Sequence, residues 1–193
     1  IQTKYIVFPL HLHPETATII LGRWLYDQSE VIRILSRVLP SDYQLIVKEH
    51  PAALGRRPKN FYTNITKHRN TKLIDHEAPM ISLIQGSSGV AVISGTAGLE
   101  AILHDVGVMT LGQIHFNQIN DVIKSTDISK MRASMLLLLN FQGYNQDDKN
   151  QFFYNILRNA VSLPGGGYNP TRQDTQTVSA LVKLINLAIH KHL

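Results

Sequence analysis

The chain has 193 residues, of which 44% are hydrophobic and 17% charged, and its formal net charge is +5 with a pI near 9.5. These values fit one globular domain, or a domain with an appended tail, and no apolar run reaches the roughly 20 residues of a membrane-spanning helix. The chain has no cysteine, which excludes disulfides and thiolate zinc sites and is compatible with a cytoplasmic location.

The positive residues are scattered, apart from short clusters at 55–59 and 67–69. A positive excess favours anionic partners, but basic and aromatic residues do not alternate as they do in a base-stacking platform. We therefore expect no nucleic-acid partner. A phosphate-bearing small molecule explains the charge, and so does peripheral contact with the inner face of a membrane.

Short apolar, β-rich runs alternate with amphipathic segments over the first two thirds of the chain. Strands are predicted at 4–10, 43–50, 71–76, 89–94 and 107–112. Helices are predicted at 29–39 with Ser29 as N-cap, at 79–85 and at 98–104, with a helix or irregular segment at 58–68. This alternation predicts a doubly wound, Rossmann-like α/β fold with a parallel sheet covered by helices.

From about residue 129 the pattern changes to helices alone, predicted at 129–140, 147–160 and 174–192. A loop rich in glycine and proline is predicted at 162–174. The sequence therefore predicts two parts: a Rossmann-like nucleotide-sugar-binding domain at 1–125, and a helical C-terminal extension at 126–193 that packs on it.

Polar segments follow three of the predicted strands: HLHPE (11–15), KEHP (48–51) and SGTAGLE (94–100). In a doubly wound sheet, ligands bind at the carboxyl ends of the strands. The three segments therefore predict a ligand site at one edge of the sheet.

The segment SGTAGLEA (94–101) has small residues between a buried strand and a helix. A helix N-terminus with unpaired N–H groups favours an anion, and glycines let a phosphate approach the main chain. The candidate phosphate-binding residues are Ser94, Gly95, Thr96, Ala97 and Gly98. Glu100 could accept hydrogen bonds from ribose hydroxyls. Tight strand–helix packing, with Thr96 as N-cap and Glu100 complementing the helix dipole, explains the motif equally well.

In KEHP, Pro51 restricts His50 to extended geometry, which fixes the direction of the ring. A histidine at this edge can donate to a phosphate oxygen or protonate a leaving phosphate, and Lys48 could support it from the same face. After the third strand, His76 and Glu77 could contact a base or ribose, although helix capping explains them better.

Nine histidines raise the question of a metal site, and His11 and His13 would point the same way on an extended chain. No HExxH motif occurs, and no third ligand follows at a suitable spacing. The sequence therefore predicts neither a metal nor a cofactor.

The segments YIVFPLHLHPETAT, LIVKEHP and VISGTAGLEAILH, in this order and spacing, resemble bacterial capsule polysaccharide biosynthesis proteins. These are glycosyltransferases of the Kdo-transferase-like group with the two-domain GT-B architecture, and the resemblance covers about residues 4–116. It implies that His50 and Pro51 form an HP element whose histidine contacts the donor nucleotide's phosphate. It also implies that the turn at 94–98 cradles phosphate and that Glu100 is the acid of the following helix. Relatives commonly have QPE where this chain has His13-Pro14-Glu15.

The resemblance further implies that the chain is the C-terminal, donor-binding half of a GT-B enzyme whose N-terminal domain is missing. The donor would be a nucleotide-activated sugar, with CMP as the first choice, and the acceptor a saccharide or glycolipid. The expected catalytic residues are His50 and Glu15, the latter placed to face the cleft between the halves. A UDP-sugar epimerase-like enzyme and a non-catalytic interaction domain of the same fold remain as alternatives.

Overall fold

The computed structural model describes residues 4–22 and 25–159. It contains one sheet of six parallel strands in the order β3-β2-β1-β4-β5-β6. The strands are β1 Lys4–Pro9, β2 Tyr43–Lys48, β3 Thr71–Ile74, β4 Val90–Val92, β5 Val108–Thr110 and β6 Ile123–Lys124. This is the doubly wound order of a Rossmann-like sheet, which confirms the predicted fold class.

Seven α-helices connect or follow the strands within the described residues. They are α1 Thr16–Ile19, α2 Gln28–Val38, α3 Phe61–Thr66, α4 Met80–Gln85, α5 Ala97–Leu103, α6 Met131–Leu139 and α7 Gln146–Asn159. The sequence did not predict α1 or β6, because elements of four and two residues are too short to produce a periodic pattern. The loop predicted at 162–174 and the helix predicted at 174–192 lie outside the described residues.

Strand β1 shows that apolar side chains cover both faces of the sheet. Ile6 and Phe8 belong to the main core cluster together with Ile32 and Leu35 of α2. Val7, which points to the opposite face, is also fully buried. Burial on both faces explains why this strand is a continuous apolar run rather than an alternating one.

Helix α2 begins one residue earlier than predicted, and its N-cap is Asp27 instead of Ser29. Oδ1 of Asp27 accepts from the Ser29 main-chain N at 2.9 Å and from Ser29 Oγ at 2.7 Å. The N-cap prediction was therefore wrong, because the carboxylate of Asp27 takes the exposed N–H groups of the first turn.

The chain divides into two compact units, residues 1–145 and 146–193. The first contains the sheet and α1 to α6, with α6 packed against α2, β5 and β6. In the second unit, α7 has Asp147 and Asp148 in its first turn and Arg158 in its last, which complements the helix dipole. The domain boundary predicted near residue 125 stays a prediction. None of the helices within the described ranges has the length and hydropathy of a membrane span.

The sheet reverses its strand order at β1, which has β2 on one side and β4 on the other. Pro9 of β1 lies opposite Lys48 of β2, and Lys48 lies opposite Ile74 of β3. The segments after these strands therefore emerge at one edge, beside the crevice between β1 and β4 where ligands bind in this fold.

Candidate functional site

A cavity of about 340 Å³ lies at this crevice. Its volume is within the range of about 300–1,000 Å³ that is usual for small-molecule sites. The lining comes from all three polar segments, at 9–12 with Glu15, at 48–51 and at 94–97 with Glu100, and from Met80. The structure thus brings together most of the site residues that the sequence predicts, while Gly98, His76 and Glu77 do not line the cavity.

His11 is at the centre of this arrangement, although the sequence suggested it only as a metal ligand. The side chain is buried, and its Nε2 accepts a hydrogen bond from the Ser94 main-chain N at 3.2 Å. A Cβ at Gly95 would lie 2.9 Å from the same nitrogen. Gly95 therefore leaves room for a ring that joins the end of β1 to the turn after β4.

The main chain of His11 is held from the other side by two buried side chains. Its N–H donates to Gln28 Oε1 at 2.6 Å, and its carbonyl accepts from Gln28 Nε2 at 3.0 Å. The same carbonyl accepts from Arg57 Nη2 at 2.8 Å. These contacts fix the backbone of the loop from which the His11 ring projects.

Arg57 also forms a buried ion pair with Glu49, the residue before His50. The side chains of Arg57 and Glu49 are 6% and 4% exposed, and two hydrogen bonds of 2.7 and 3.0 Å join them. Glu49 also accepts from Tyr62 Oη at 2.8 Å and from the His50 main-chain N at 2.6 Å. Burial alone would raise the pKa of Glu49, but the hydrogen bonds from Arg57 and Tyr62 outweigh it and lower the pKa.

Sequence reasoning did not identify the Arg57, Glu49 and Gln28 network. In the sequence Arg57 is one member of a short basic cluster, and 46 residues separate it from the carbonyl that it binds. The available signal was a glutamate directly after a buried strand, because a carboxylate in that place needs a cationic partner.

His50 has the extended geometry that its proline neighbour predicts, with φ −80° and ψ 125°. Its Nδ1 accepts from the Ala52 main-chain N at 3.2 Å, so the neutral ring carries its proton on Nε2. Nε2 has no partner among the described residues, and the exposed ring lines the cavity. The ring is thus arranged to donate a hydrogen bond to an anion there.

Lys48 is buried, and it lines the cavity. Its Nζ donates to the His76 carbonyl at 2.6 Å, which leaves two further N–H groups on the ammonium. The His76 ring pairs with Asp75, whose carboxylate also accepts from the Glu77 main-chain N. The base or ribose contacts suggested for His76 and Glu77 therefore stay a prediction.

The turn after β4 contributes main-chain donors. The N–H groups of Gly95, Thr96 and Ala97 have no acceptor within the described part of the chain. Thr96 is the N-cap of α5, but its side chain makes no capping hydrogen bond. Gly98 has a packing role instead, because a Cβ there would lie 2.7 Å from Phe116 Cζ.

Two carboxylates lie around the same cavity. Glu15 is exposed, whereas Glu100 is half-buried in the first turn of α5. Neither carboxylate hydrogen-bonds to another described residue, so both can accept from hydroxyl groups of a ligand.

Burial lowers the pKa of His11 to about 4, with smaller contributions from His50 and Arg57. The ring is therefore neutral over the physiological pH range. His11 Nε2 therefore stays unprotonated and continues to accept the hydrogen bond from the Ser94 N–H, and the site gains no positive charge from His11.

The two histidines considered as metal ligands have different partners. The His11 ring contacts Ser94, whereas His13 Nδ1 lies 3.0 Å from Thr18 Oγ1. Within residues 4–22 and 25–159, no group of three or more histidine or acidic side chains could hold a metal ion.

Comparison with known proteins gives a family match. The profile of a family described as "Capsule polysaccharide biosynthesis protein" matches residues 2–120. That range includes every residue that lines the cavity.

Two curated relatives have similar sequences over part of their length. The chain is 23% identical over 122 residues to the capsule polysaccharide modification protein LipB of Neisseria meningitidis, covering 59% of this chain and 29% of LipB. It is 29% identical over 91 residues to the capsule polysaccharide export protein KpsS of Escherichia coli, covering 44% of this chain and 23% of KpsS. The chain thus spans less than a third of either relative.

Two solved structures have a similar fold. One is the β-Kdo 2,7-transferase of Thermosulfurimonas dismutans KpsC, with 14% identity, a TM-score of 0.56, and coverage of 97% of this chain and 56% of that chain. The other is the UDP-GlcNAc 2-epimerase of Methanocaldococcus jannaschii, with 17% identity, a TM-score of 0.57, and coverage of 83% and 47%. At these identities the similarity concerns the fold alone.

Proposed function

The chain belongs to the capsule polysaccharide biosynthesis protein family, and from this premise we propose that it is the donor-binding domain of a glycosyltransferase. Its ligand would be a nucleotide-activated sugar, and the acceptor a saccharide or glycolipid held between this domain and a further domain of a longer protein. The observation that carries the proposal is the cavity at the strand-order reversal. It is lined by residues 95–97, whose main-chain N–H groups have no partner among the described residues, and by His50 with its Nε2 donor.

These donors suit the phosphate of a leaving nucleotide. When the glycosidic C–O bond breaks, its electron pair goes to the phosphate oxygen, and negative charge increases there. Main-chain N–H groups and the His50 Nε2–H would stabilise that charge without reorganising. Lys48 would add a buried positive charge to the same cavity.

Within this proposal the donor is a CMP-linked sugar rather than a UDP-linked one. Glu100 would accept from ribose hydroxyls, and Glu15 would accept from hydroxyls of the reacting sugars at the mouth. A cytoplasmic location with contact at the inner membrane face is proposed with this role, because the net charge of +5 suits anionic lipids.

Calorimetry of the chain, alone and within the full-length protein, with CMP, a CMP-sugar and UDP-GlcNAc tests the proposal. We expect His50→Ala to weaken CMP binding by about 10- to 150-fold, since a hydrogen bond to a charged group contributes about 1.5–3 kcal/mol. His104→Ala is the matched control, because His104 is exposed at the C-cap of α5 and does not line the cavity.

Three results would contradict the proposal in different ways. Absence of nucleotide binding by both folded samples would exclude a donor-binding role. Tighter binding of UDP than of CMP, with turnover that needs no acceptor, would favour the epimerase-like alternative. Full biological activity of His50→Ala would favour a non-catalytic interaction domain.

A further inference from the structure

We propose that a second cavity at the same edge of the sheet binds an acidic sugar residue, and that this residue belongs to the acceptor. The binding itself is argued from the second cavity, whereas the acceptor role rests on the proposed function. The second cavity has a volume of about 220 Å³ and lies around Tyr26, Arg56 and Phe61. This is below the range of about 300–1,000 Å³ for drug-sized ligands, so it suits one sugar ring rather than a nucleotide.

The lining has the two kinds of groups that recognise a sugar. Tyr26 provides aromatic surface and is about half exposed, whereas the Arg57 guanidinium lies over the Phe61 ring, 4.9 Å from its centroid. Asp27 lies beside them, and its N-capping hydrogen bonds all go to Oδ1. Oδ2 of Asp27 is therefore available to accept a hydrogen bond from a sugar hydroxyl.

Arg56 gives the second cavity its preference for an acid. Its neighbour Arg57 is buried and engaged by Glu49 and by the His11 carbonyl. Arg56 is exposed, and its guanidinium contacts no acceptor among the described residues. An unpaired guanidinium is well suited to bind a carboxylate through two parallel hydrogen bonds.

An ion pair links the linings of the two cavities. Glu49 lines the first cavity and Arg57 the second, and these two side chains are hydrogen-bonded to each other. On the β1–α1 loop, Glu15 lines the first cavity and His13 the second. Glycosyl transfer requires donor and acceptor to be adjacent, so a sugar in the second cavity would lie next to a donor in the first.

An NMR titration of the 193-residue chain tests this inference with two probes that differ only in a carboxylate. The probes are methyl β-D-glucuronoside and methyl β-D-glucoside. We expect the glucuronoside to bind at least about ten-fold more tightly, because the carboxylate adds a charge-assisted hydrogen-bonded pair. The amides whose NMR signals shift should lie around Tyr26, Arg56 and Phe61. Saturating CMP should not reverse these shifts.

The variant Arg56→Gln should lose the glucuronoside preference, with Lys59→Gln as the matched control. Lys59 is an exposed cation in the same loop that does not line the second cavity. Equal glucuronoside affinity of the two variants would overturn the inference, and so would equal affinity for both probes or displacement of the glucuronoside by CMP.

CMP binding measured on the same samples separates the two proposals. Binding of CMP without binding of the glucuronoside would overturn only this inference. Binding of the glucuronoside without any nucleotide would support the second cavity and contradict the donor-binding role.

Discussion

The two walls of the first cavity are built in different ways. The wall from β1 and β2 consists of side chains that a network behind them holds in place: Gln28 and Arg57 hold His11, and Arg57 also holds Glu49. The wall after β4 consists mainly of main chain, with small residues and N–H groups that have no acceptor in the described residues. One wall carries its own charge compensation, and the other leaves donors for a ligand.

This difference separates stability from binding within one site. Changes to the first wall should affect folding strongly, because they leave buried charges unpaired. Changes to the second wall should affect folding less, because no buried charge depends on it and its main-chain donors pair with no described residue. His11 joins the two walls through Ser94 and should therefore affect both properties.

The largest expected effect is that of Arg57→Ala. It leaves the Glu49 carboxylate buried without its partner, so we expect the free energy of unfolding to fall by about 3–5 kcal/mol. Chemical denaturation measures this loss. The adjacent Arg56→Ala is the control and should stay within about 0.5 kcal/mol of the wild type.

A second variant tests whether the loss comes from the unpaired charge. Adding Glu49→Gln to Arg57→Ala removes that charge while keeping an acceptor for Tyr62 and for the His50 N–H. The double variant should therefore be more stable than Arg57→Ala alone. If it is less stable, the ion pair does not explain the effect.

The next expected effect is a pH dependence caused by His11. Its pKa is about 4 in the folded chain and near 6.5 in the unfolded chain. Above pH 6.5 both states are neutral; as the pH falls from 6.5 to 4, only the unfolded state takes up this proton. The free energy of unfolding should therefore fall over this window, by at most about 3.5 kcal/mol.

Denaturation of the wild type and of His11→Gln across pH 4–7 isolates this contribution. Glutamine does not titrate and can still accept from the Ser94 N–H, so its curve should be flatter. His68→Gln is the comparison variant. Burial also lowers the pKa of His68, but this ring is less buried than that of His11, so its removal should flatten the curve less. Parallel curves for His11→Gln and the wild type would show that His11 is not the titrating group.

The smallest expected effect on stability is that of Gly95→Ala. The new Cβ would lie 2.9 Å from His11 Nε2, so the ring must shift and the Ser94 hydrogen bond is lost. We expect a loss of about 1–3 kcal/mol in denaturation, together with weaker CMP binding in calorimetry. Thr96→Ala, at the exposed neighbour, should change stability by less than about 0.5 kcal/mol. An unaltered CMP affinity in Gly95→Ala would show that this turn does not contact the nucleotide.

The fold could be predicted because its strands are local patterns. KYIVFP and YQLIVK are apolar runs between turn residues, and each becomes a strand within two residues of the predicted end. The edge on which the polar segments meet followed from the parallel order alone. The sequence therefore predicts that His50, Lys48 and the 94–97 turn lie at the same edge, and all of them line the first cavity.

The supporting network could not be predicted in the same way. The contacts of His11 with Gln28, Arg57 and Ser94 span 17, 46 and 83 residues, and no local spacing encodes them. Gly98 shows the opposite problem, a residue that the local sequence wrongly suggests for the site. A glycine in a turn that resembles a phosphate-binding turn looks the same in the sequence whether it faces a ligand or packs against Phe116. Only the three-dimensional packing distinguishes the two roles.

The pairing register of β1 and β2 also determines which changes in chain length the site can tolerate. Lys4 to Pro9 pair in step with Tyr43 to Lys48, so the face of every side chain in β2 depends on the residue count. Deleting one residue within β2 would exchange the directions of the Lys48 and Glu49 side chains. Lys48 would then point away from the His76 carbonyl, and Glu49 away from Arg57. Length variation among natural homologues should therefore be absent from β2, and it should instead occur in the exposed part of the following loop, around Gly55.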